Sequence, residues 1–250
     1  MNLEGRVALV TGSTTGLGKA MAHAMARSGA TVALNYANNE VRALSALAEF
    51  EAAGTRAMLF RSDVSEEHGV RTLVSQVFQK LGPIDILIPN ATPDQPQRRI
   101  EDYTWQDYER MLDFFVKSPF LLTKACIPHM KQQRWGRIIN IISEVFSLGV
   151  APFTAYAAAK GGQVGLSRSL ATELAPFGIT VNMISPGWIP VERHQSESQS
   201  KKEIYLRTVP AGRWGTPDDI ASAACYFASN EASFVTGQFV TVNGGRSYGL

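Results

Sequence analysis

Residues 7–26 read VALVTGSTTGLGKAMAHAMA: a short apolar run, a turn with three glycines and an alanine-rich stretch. The apolar run is typical of a buried strand, and the alanine-rich stretch favours a helix. Gly12, Gly16 and Gly18 lie between them. Such glycines let a pyrophosphate approach the backbone, where the positive end of the helix attracts its charge. Turns with a purely structural role also use glycines. The position of this turn directly after the first strand, however, favours a dinucleotide-binding unit.

The rest of the chain repeats this alternation of strand and helix. Runs rich in β-branched residues predict strands, and amphipathic stretches between them predict helices. The predicted strands are residues 6–11, 31–36, 57–61, 84–89, 136–142, 179–185 and 238–242, and the predicted helices are residues 18–28, 40–53, 66–80, 103–132, 155–177 and 217–229. Apolar strands that are each followed by a helix predict an α/β fold, a doubly wound parallel sheet of the Rossmann type. We expect about seven strands with helices on both faces.

The length and composition of the chain favour a single domain. Its 250 residues are 45% hydrophobic and 18% charged, which is ordinary for an enzyme with a sizeable core. No repeat or flexible linker divides the sequence, so residues 1–250 are interpreted as one domain that binds the dinucleotide and performs catalysis. Residues 190–208 are polar and weakly patterned, which predicts a flap over the substrate.

Charge and residue usage exclude several classes of function. The net charge of +2 is too small to indicate a nucleic-acid or membrane partner. No apolar run reaches the roughly 18 residues of a membrane span, and the start has no secretory pattern, so we expect a cytoplasmic protein. Cys126 and Cys225 lie in apolar helical stretches and are predicted to be buried free thiols. The four histidines are too dispersed for a metal site, and none is expected.

The spacing Gly-x-x-x-Gly-x-Gly, together with Thr11, resembles the TGxxxGxG motif of the short-chain dehydrogenase/reductase family. The resemblance covers essentially the whole chain. Its further motifs are Asp63-Val64, Asn90-Ala91, Ser143 thirteen residues before Tyr156, Tyr156-x-x-x-Lys160, Pro186-Gly187 and Val242-Asn243-Gly244-Gly245. The chain looks most similar to 3-oxoacyl-carrier-protein reductases and to sugar or polyol dehydrogenases. The resemblance implies an oxidoreductase that transfers a hydride between a nicotinamide cofactor and a carbonyl or secondary alcohol.

Ser143, Tyr156 and Lys160 are the predicted catalytic residues. Tyr156 and Lys160 are four residues apart in a predicted helix, so their side chains share a face. A nearby ammonium favours phenolate, so Lys160 is expected to lower the pKa of Tyr156, the general acid or base. The family implies that Lys160 also holds the nicotinamide ribose and that Ser143 orients the substrate oxygen. A surface tyrosine and lysine at helical spacing is the plain alternative, which the glycine turn disfavours.

Cofactor choice depends on the end of the second strand. NAD-selective relatives have an acidic residue there, whereas this chain has Tyr36 and no carboxylate before Glu40. The arginine that many NADP-dependent relatives carry before the second glycine is Thr15. We favour NADP and keep NAD open. The predicted cofactor-binding residues are Gly12, Thr14, Thr15, Gly16, Leu17, Gly18, Asn35, Tyr36, Asp63, Val64, Asn90, Ala91, Tyr156, Lys160, Pro186, Gly187 and Ile189, with Asp63-Val64 expected at the adenine ring.

The chain also departs from the family pattern at several positions. Thr92 replaces the last glycine of NNAG, Phe115 replaces the helical asparagine of the proton relay, and Val191 replaces a threonine that contacts the carboxamide. A phenyl ring cannot hold the relay water, because it offers no strong donor or acceptor. Two alternatives therefore stay open: a nucleotide-binding sensor or structural relative with little turnover, and a lyase or epimerase that uses the same tyrosine.

Spacing separates this chain from neighbouring families, and its polar loops suggest substrate contacts. Enoyl reductases place the lysine six or seven residues after the tyrosine, and halohydrin dehalogenases have arginine at the position of Lys160. The predicted substrate contacts are Phe146, Trp188, Arg193 and His194. The long helices at residues 103–132 and 155–177 are apolar on more than one face, which predicts a homotetramer or homodimer.

Overall fold

The computed structural model describes residues 1–249 and contains seven parallel strands in one sheet. The strands are β1 (Val7–Val10), β2 (Thr31–Tyr36), β3 (Ala57–Arg61), β4 (Ile86–Ile88), β5 (Gly136–Ile141), β6 (Ile179–Pro186) and β7 (Phe239–Val242). The helices are α1 (Gly16–Arg27), α2 (Glu40–Ala52), α3 (Glu67–Leu81), α4 (Trp105–Leu112), α5 (Ser118–Gln133), α6 (Glu144–Leu148), α7 (Thr154–Leu174), α8 (Gln199–Leu206) and α9 (Pro217–Ala228).

The strand order is β3-β2-β1-β4-β5-β6-β7, so the chain reverses direction across the sheet between β1 and β4. Val10, the last residue of β1, pairs with Leu34 of β2 on one side and with Ile88 of β4 on the other. The connections after these strands therefore leave in opposite directions and open a crevice at the carboxyl end of β1. The predicted doubly wound sheet is confirmed, and its switch point lies at the glycine turn.

The alternation of side chains along β1 divides the core into two layers. Ala8 and Val10 pack with α1 and α9 on one face of the sheet, whereas Val7 and Leu9 pack with α3 and α5 on the other. Successive strand residues point to opposite faces, and every residue of β1 is buried. Covering both faces in this way requires a strand without polar residues, which explains the continuous apolar run in the sequence.

The predicted helix at residues 103–132 is interrupted in the structure. Thr104 caps α4 with a reciprocal pair of hydrogen bonds to Asp107, so the helix begins at Trp105. A π-helical segment, Asp113–Lys117, separates α4 from α5. Pro119 has no N–H to donate to the carbonyl four residues earlier, which favours a wider turn at this point. The interruption matters because it carries Phe115.

The flap predicted at residues 190–208 contains more regular structure than its composition indicated. A 3₁₀ turn covers Glu192–His194, and the helix α8 follows. The side chain of Ser198 accepts a hydrogen bond from the N–H of Lys201 and so caps α8. We name residues 190–208 the flap.

Several smaller expectations concern the described residues 1–249. Cys126 and Cys225 are buried free thiols, as predicted. Among the described helices, none combines the length and apolar character needed to cross a membrane. The described His, Cys, Asp and Glu residues form no cluster that could hold a metal ion.

Candidate active site

The glycine turn lies at the switch point of the sheet and is fastened to β4. The Thr11 hydroxyl accepts hydrogen bonds from the N–H groups of Asn90 and Ala91, both at 2.9 Å. The Asn90 amide in turn donates to the carbonyl of Thr11 at 2.9 Å. Gly12 and Gly16 have φ of 62° and 54°, a region that disfavours residues with a side chain. The turn is therefore held by backbone geometry as much as by side chains.

Gly18 is required for a different reason, which is close contact. A Cβ at this position would collide with the carbonyl oxygen of Gly12 and with the amide of Asn90. Any larger residue would push the first turn of α1 away from the end of β1. This contact explains the third glycine of the motif.

A cleft of about 580 Å³ lies over this turn. Most of the predicted cofactor-binding residues line it, from the turn, from the end of β2 and from the ends of β3 and β4. The lining residues are Gly12, Thr14, Thr15, Gly16, Leu17, Gly18, Asn35, Tyr36, Ala37, Asn38, Arg42, Ser62, Asp63, Val64, Ser65, Asn90, Ala91, Thr92, Pro93, Asp94, Arg110, Asp113, Phe114, Val191, Glu192 and Arg193.

Two residues near the end of β2 line the cleft. Asn35, in the strand, supports the glycine turn, and Arg42, in α2, was not identified from the sequence. Asn35 is buried, and its side chain accepts from Gly12 N at 3.3 Å and donates to the Ser62 carbonyl at 3.0 Å. Asn35 thus braces the glycine turn from behind. Arg42 lines the same part of the cleft and has no carboxylate within ion-pair distance among residues 1–249. The sequence did contain a signal for Arg42, because this residue lies in the first turn of α2, just past the end of β2.

Ser143 and Tyr156 lie close together, but neither they nor Lys160 are among the residues that line the large cleft. Ser143 caps α6, and its hydroxyl accepts from Val145 N at 3.2 Å. Its side chain also lies beside that of Tyr156, which is 6% exposed. The ring of Phe115 lies edge-on to the Tyr156 ring at 5.2 Å. The π-helical segment therefore brings an apolar ring to the place where the sequence pattern of relatives has an asparagine.

The ammonium group of Lys160 makes three contacts. Its ammonium donates to the Ile141 carbonyl at 2.6 Å and to Gln163 Oε1 at 2.9 Å, and it lies 3.7 Å from the centre of the Phe115 ring. Sequence reasoning missed Gln163, which lies three residues after Lys160 on the same face of α7. This glutamine is itself buried.

The electrostatics of the pair differ from the expectation. Burial raises the pKa of Tyr156, and the Ser143 hydrogen bond and the Arg193 charge oppose that rise only in part. Burial also lowers the pKa of Lys160 well below its usual value, with a smaller contribution from Arg193. The sequence predicted a lowered Tyr156 pKa through Lys160. In this structure burial dominates the pKa of both groups. Removing the charged form of either group from water costs more free energy than the neighbouring charges contribute to its stabilisation.

Of the four predicted substrate contacts, only Arg193 lines the large cleft. Phe146 packs against Phe239, at 6.4 Å between ring centres, and against Gly161, because the cap at Ser143 turns α6 toward α7. His194 is half-buried and lies edge-on to Trp188 at 5.8 Å. Burial, followed by the Arg193 charge, lowers its pKa to about 4.

The segment after β6 also departs from the expected placement. Gly187, Trp188 and Ile189 line a second cavity of about 260 Å³, beneath the flap, instead of the large cleft. Ile189 is buried. Pro186 is the last residue of β6 and, like Ile189, does not line the large cleft. The structure therefore separates this group from the glycine turn.

The flap contacts the glycine turn at Gly16. Gly16 N donates to Glu192 Oε2 at 3.1 Å, and Val191 packs beside Gly16. The carboxylate lies at the positive end of α1, where the N–H groups of the first turn have no partner within the helix. Glu192 is a third residue that the sequence pattern did not identify, after Arg42 and Gln163.

Comparisons with known proteins identify relatives along almost the entire chain. A family model described as enoyl-(acyl carrier protein) reductase matches residues 12–247. The 2-dehydro-3-deoxy-D-gluconate 5-dehydrogenase of Formosa agariphila is 36% identical over 98% of this chain and 93% of its own length. The 3-oxoacyl-[acyl-carrier-protein] reductase FabG of Escherichia coli (strain K12) is 37% identical over 98% of both chains.

A solved structure shows the same architecture. A gluconate 5-dehydrogenase from Burkholderia cenocepacia, in complex with NADP and tartrate, superposes with a TM-score of 0.91 at 31% identity. The alignment covers 98% of this chain and 96% of that one. Sequence, fold and motif order agree, and the prediction of a nicotinamide-dependent oxidoreductase is confirmed. The chain belongs to the short-chain dehydrogenase/reductase family.

Proposed function

We propose that this enzyme uses NADP to interconvert a carbonyl and a secondary alcohol, with Ser143, Tyr156 and Lys160 as its reacting groups. The observation that carries the proposal is the close approach of the Ser143 side chain to Tyr156, with Lys160 one helical turn further along α7. When bound, NADPH would supply the hydride for reduction of the carbonyl, and NADP+ would accept it from the alcohol in the reverse direction. Tyr156 exchanges a proton with the substrate oxygen, and Ser143 holds that oxygen by a hydrogen bond as charge develops.

The cleft fits the dinucleotide on two observations. Gly12 and Gly16, which have positive φ, line the cleft at the amino-terminal end of α1, as expected for a pyrophosphate cradle. Arg42 lines the cleft beside Tyr36, where a 2′-phosphate would need a positive charge. Arg42 supplies the attraction that the sequence pattern lacked, and this supports NADP over NAD.

The experiment is a titration with NADPH and NADH, followed by turnover measured at the nicotinamide absorbance. Tyr156→Phe is expected to reduce turnover by about 10³-fold while leaving NADPH affinity nearly unchanged, because only the proton-transfer group is lost. Tyr108→Phe is the matched control, since its exposed hydroxyl contacts Thr154. Unchanged turnover in Tyr156→Phe would overturn the mechanism. Arg42→Gln is expected to weaken NADPH about tenfold and NADH very little.

Arg193 supports an anionic substrate within this function. Its Nε donates to His194 Nε2 at 3.2 Å, while no carboxylate among residues 1–249 lies within ion-pair distance of the guanidinium. Its charge also acts on both Tyr156 and Lys160, which places it near the reacting groups. We therefore propose a hydroxy acid as substrate, in agreement with the gluconate dehydrogenases among the relatives.

Two test substrates distinguish a hydroxy-acid dehydrogenase from a reductase of 3-oxoacyl thioesters. The reductases of 3-oxoacyl thioesters are equally similar relatives, which keeps that reaction as the second candidate. We expect turnover of 5-dehydro-D-gluconate, and we expect Arg193→Gln to raise its KM about tenfold without affecting NADPH binding. Turnover of acetoacetyl thioesters alone would favour the second candidate. Cofactor binding without turnover would favour the sensor, and product formation without net cofactor oxidation would favour a lyase or epimerase.

The assembly proposed for the enzyme is a homotetramer built on α5 and α7. The exposed Phe120 on α5 and Trp105 on α4 support a further partner on this face. Light scattering coupled to gel filtration measures the mass directly, and a dimer is the other outcome expected from the sequence. The cytoplasmic location and the single-domain organisation stay predictions.

A further inference from the structure

A buried carboxylate lies directly after Ser143, and the reaction proposed above does not use it. Glu144 is 3% exposed and receives three hydrogen bonds. Tyr205 Oη donates to Oε1 at 2.8 Å, Arg246 Nη1 donates to Oε1 at 2.6 Å, and Asn243 Nδ2 donates to Oε2 at 3.3 Å. A carboxylate is tolerated at this depth only because it is paired and hydrogen-bonded.

Tyr205 connects this carboxylate to the flap. It belongs to α8, and its hydroxyl also accepts from the backbone N–H of Trp188 at 2.6 Å. Its ring stacks on Trp214 at 5.4 Å and meets Trp188 edge-on at 5.2 Å. Burial and the Glu144 charge raise the pKa of Tyr205, so its hydroxyl remains a donor at neutral pH. A Cβ on Gly187 would approach this hydroxyl within 2.7 Å, which explains the glycine there.

Arg246 connects the same carboxylate to the carboxyl-terminal segment. Its Nε donates to the Thr208 hydroxyl at 2.7 Å, at the end of the flap, and its guanidinium lies 4.6 Å from the centre of the Tyr205 ring. Glu144 is the ion-pair partner of Arg246 within residues 1–249. The carboxyl-terminal end of α8, through Tyr205, and Thr208 just beyond it are thereby tied to one carboxylate.

We propose that Glu144 is a positioning residue that docks the flap against the residue next to Ser143. The inference rests on the proposed function only for the role of Ser143. Docking of α8 holds Trp188 through Tyr205, and Trp188 in turn contacts His194, the neighbour of Arg193. Glu144 is peptide-bonded to Ser143. The three hydrogen bonds that Glu144 accepts therefore hold the flap in place and also position the serine hydroxyl. We name this group of Glu144, Tyr205 and Arg246 the latch.

Limited proteolysis of the full chain tests the latch without any substrate. Trypsin sites within the flap follow Arg193, Lys201, Lys202 and Arg207, and the exposed Arg99 provides an internal control outside it. Tyr205→Phe is expected to speed flap cleavage about tenfold, the factor for one hydrogen bond to a charged group, with cleavage at Arg99 unchanged. Tyr226→Phe, an exposed tyrosine on α9, is the matched control.

A second variant separates positioning from general support. Glu144→Gln keeps the size of the side chain and an acceptor for Tyr205, but removes the charge that pairs with Arg246. With NADPH and 5-dehydro-D-gluconate, we expect Tyr205→Phe to raise mainly KM and Glu144→Gln to lower kcat as well, because only Glu144 adjoins Ser143.

Flap cleavage at the rate of the parent in both variants would overturn the proposal, and so would equal acceleration at Arg99, which would indicate general unfolding. A parent enzyme that fails to reduce this substrate would count against the proposed function alone, since the proteolysis result stands without turnover.

Discussion

The glycine turn and the cover on the other side of the cleft are held in place by different kinds of interaction. At the turn, Thr11 and Asn90 bond to backbone groups, and Gly12 and Gly16 adopt backbone angles that exclude most residues. The cover consists of the π-helical segment and the flap, where side chains make the contacts. Phe115 packs on Lys160 there.

This difference explains how each region tolerates change. A turn that depends on φ and on backbone contact accepts few residues, so its sequence is diagnostic of its structure. Packing among side chains can be achieved by many residue combinations, as the replacement of a relay asparagine by Phe115 indicates. Two of the departures from the family pattern, Phe115 and Val191, lie in this cover. Four variants test this comparison.

The largest effect is expected from Phe115→Asn in the cover. Phe115 is buried between Tyr156 and Lys160, so an asparagine leaves a cavity and an amide without assured partners. The free energy of unfolding should fall by about 4 kcal/mol, measured by urea denaturation. Phe78→Asn on the exposed face of α3 is the control and should cost far less. Higher turnover with unchanged stability would instead show that Phe115 only restricts proton delivery.

Gly18→Ala tests the turn. The new Cβ would collide with the Gly12 carbonyl, which forces α1 away from β1. We expect a loss of about 2 kcal/mol in unfolding free energy together with weaker NADPH binding. Gly165→Ala is the matched control, because α7 has open space there and alanine should stabilise the helix by about 0.5 kcal/mol. Parent-like NADPH affinity in Gly18→Ala would show that the turn adapts as easily as the cover.

His194 gives the flap a pH dependence. Its pKa is about 4 in the folded chain and near 6.5 when exposed, so the unfolded chain binds the proton first as the pH falls. Stability should therefore decrease between pH 6.5 and 4, by about 1 kcal/mol after allowance for solvent around this half-buried ring. His194→Gln should remove that part of the slope in urea titrations, whereas His68→Gln on α3 should retain it. An unchanged slope in His194→Gln would mean that the flap does not exclude the charged imidazole.

The smallest effect concerns the contact between the two regions. Glu192 places a carboxylate on the N–H of Gly16, where a pyrophosphate would bind. Glu192→Gln should tighten NADPH binding about threefold, the size of a charge interaction at a helix end. Fluorescence titration measures this, with Glu203→Gln on α8 as control. Weaker binding in Glu192→Gln would show that the carboxylate assists the cofactor instead of competing with it.

Much of the fold followed from local pattern. The strands, their parallel arrangement and the buried cysteines were predicted correctly, since apolar runs of strand length can be buried in few ways. The break at Asp113–Lys117 was missed, because a single proline in a long apolar pattern does not reveal which turn widens. The helix α8 was missed because its first five residues are polar and its apolar residues, Ile204, Tyr205 and Leu206, are consecutive and show no helical spacing.

The sequence by itself determined the glycine turn, the sheet and the spacing of Tyr156 and Lys160, because these depend on backbone angles and on the helical repeat. Only the tertiary structure decided which side chains surround them. Phe115, Glu192 and the latch come from distant parts of the chain and no local periodicity relates them, whereas Gln163 lies three residues after Lys160 on α7. Their depth of burial sets the pKa directions of Tyr156 and Lys160, and burial is a property of the folded chain as a whole.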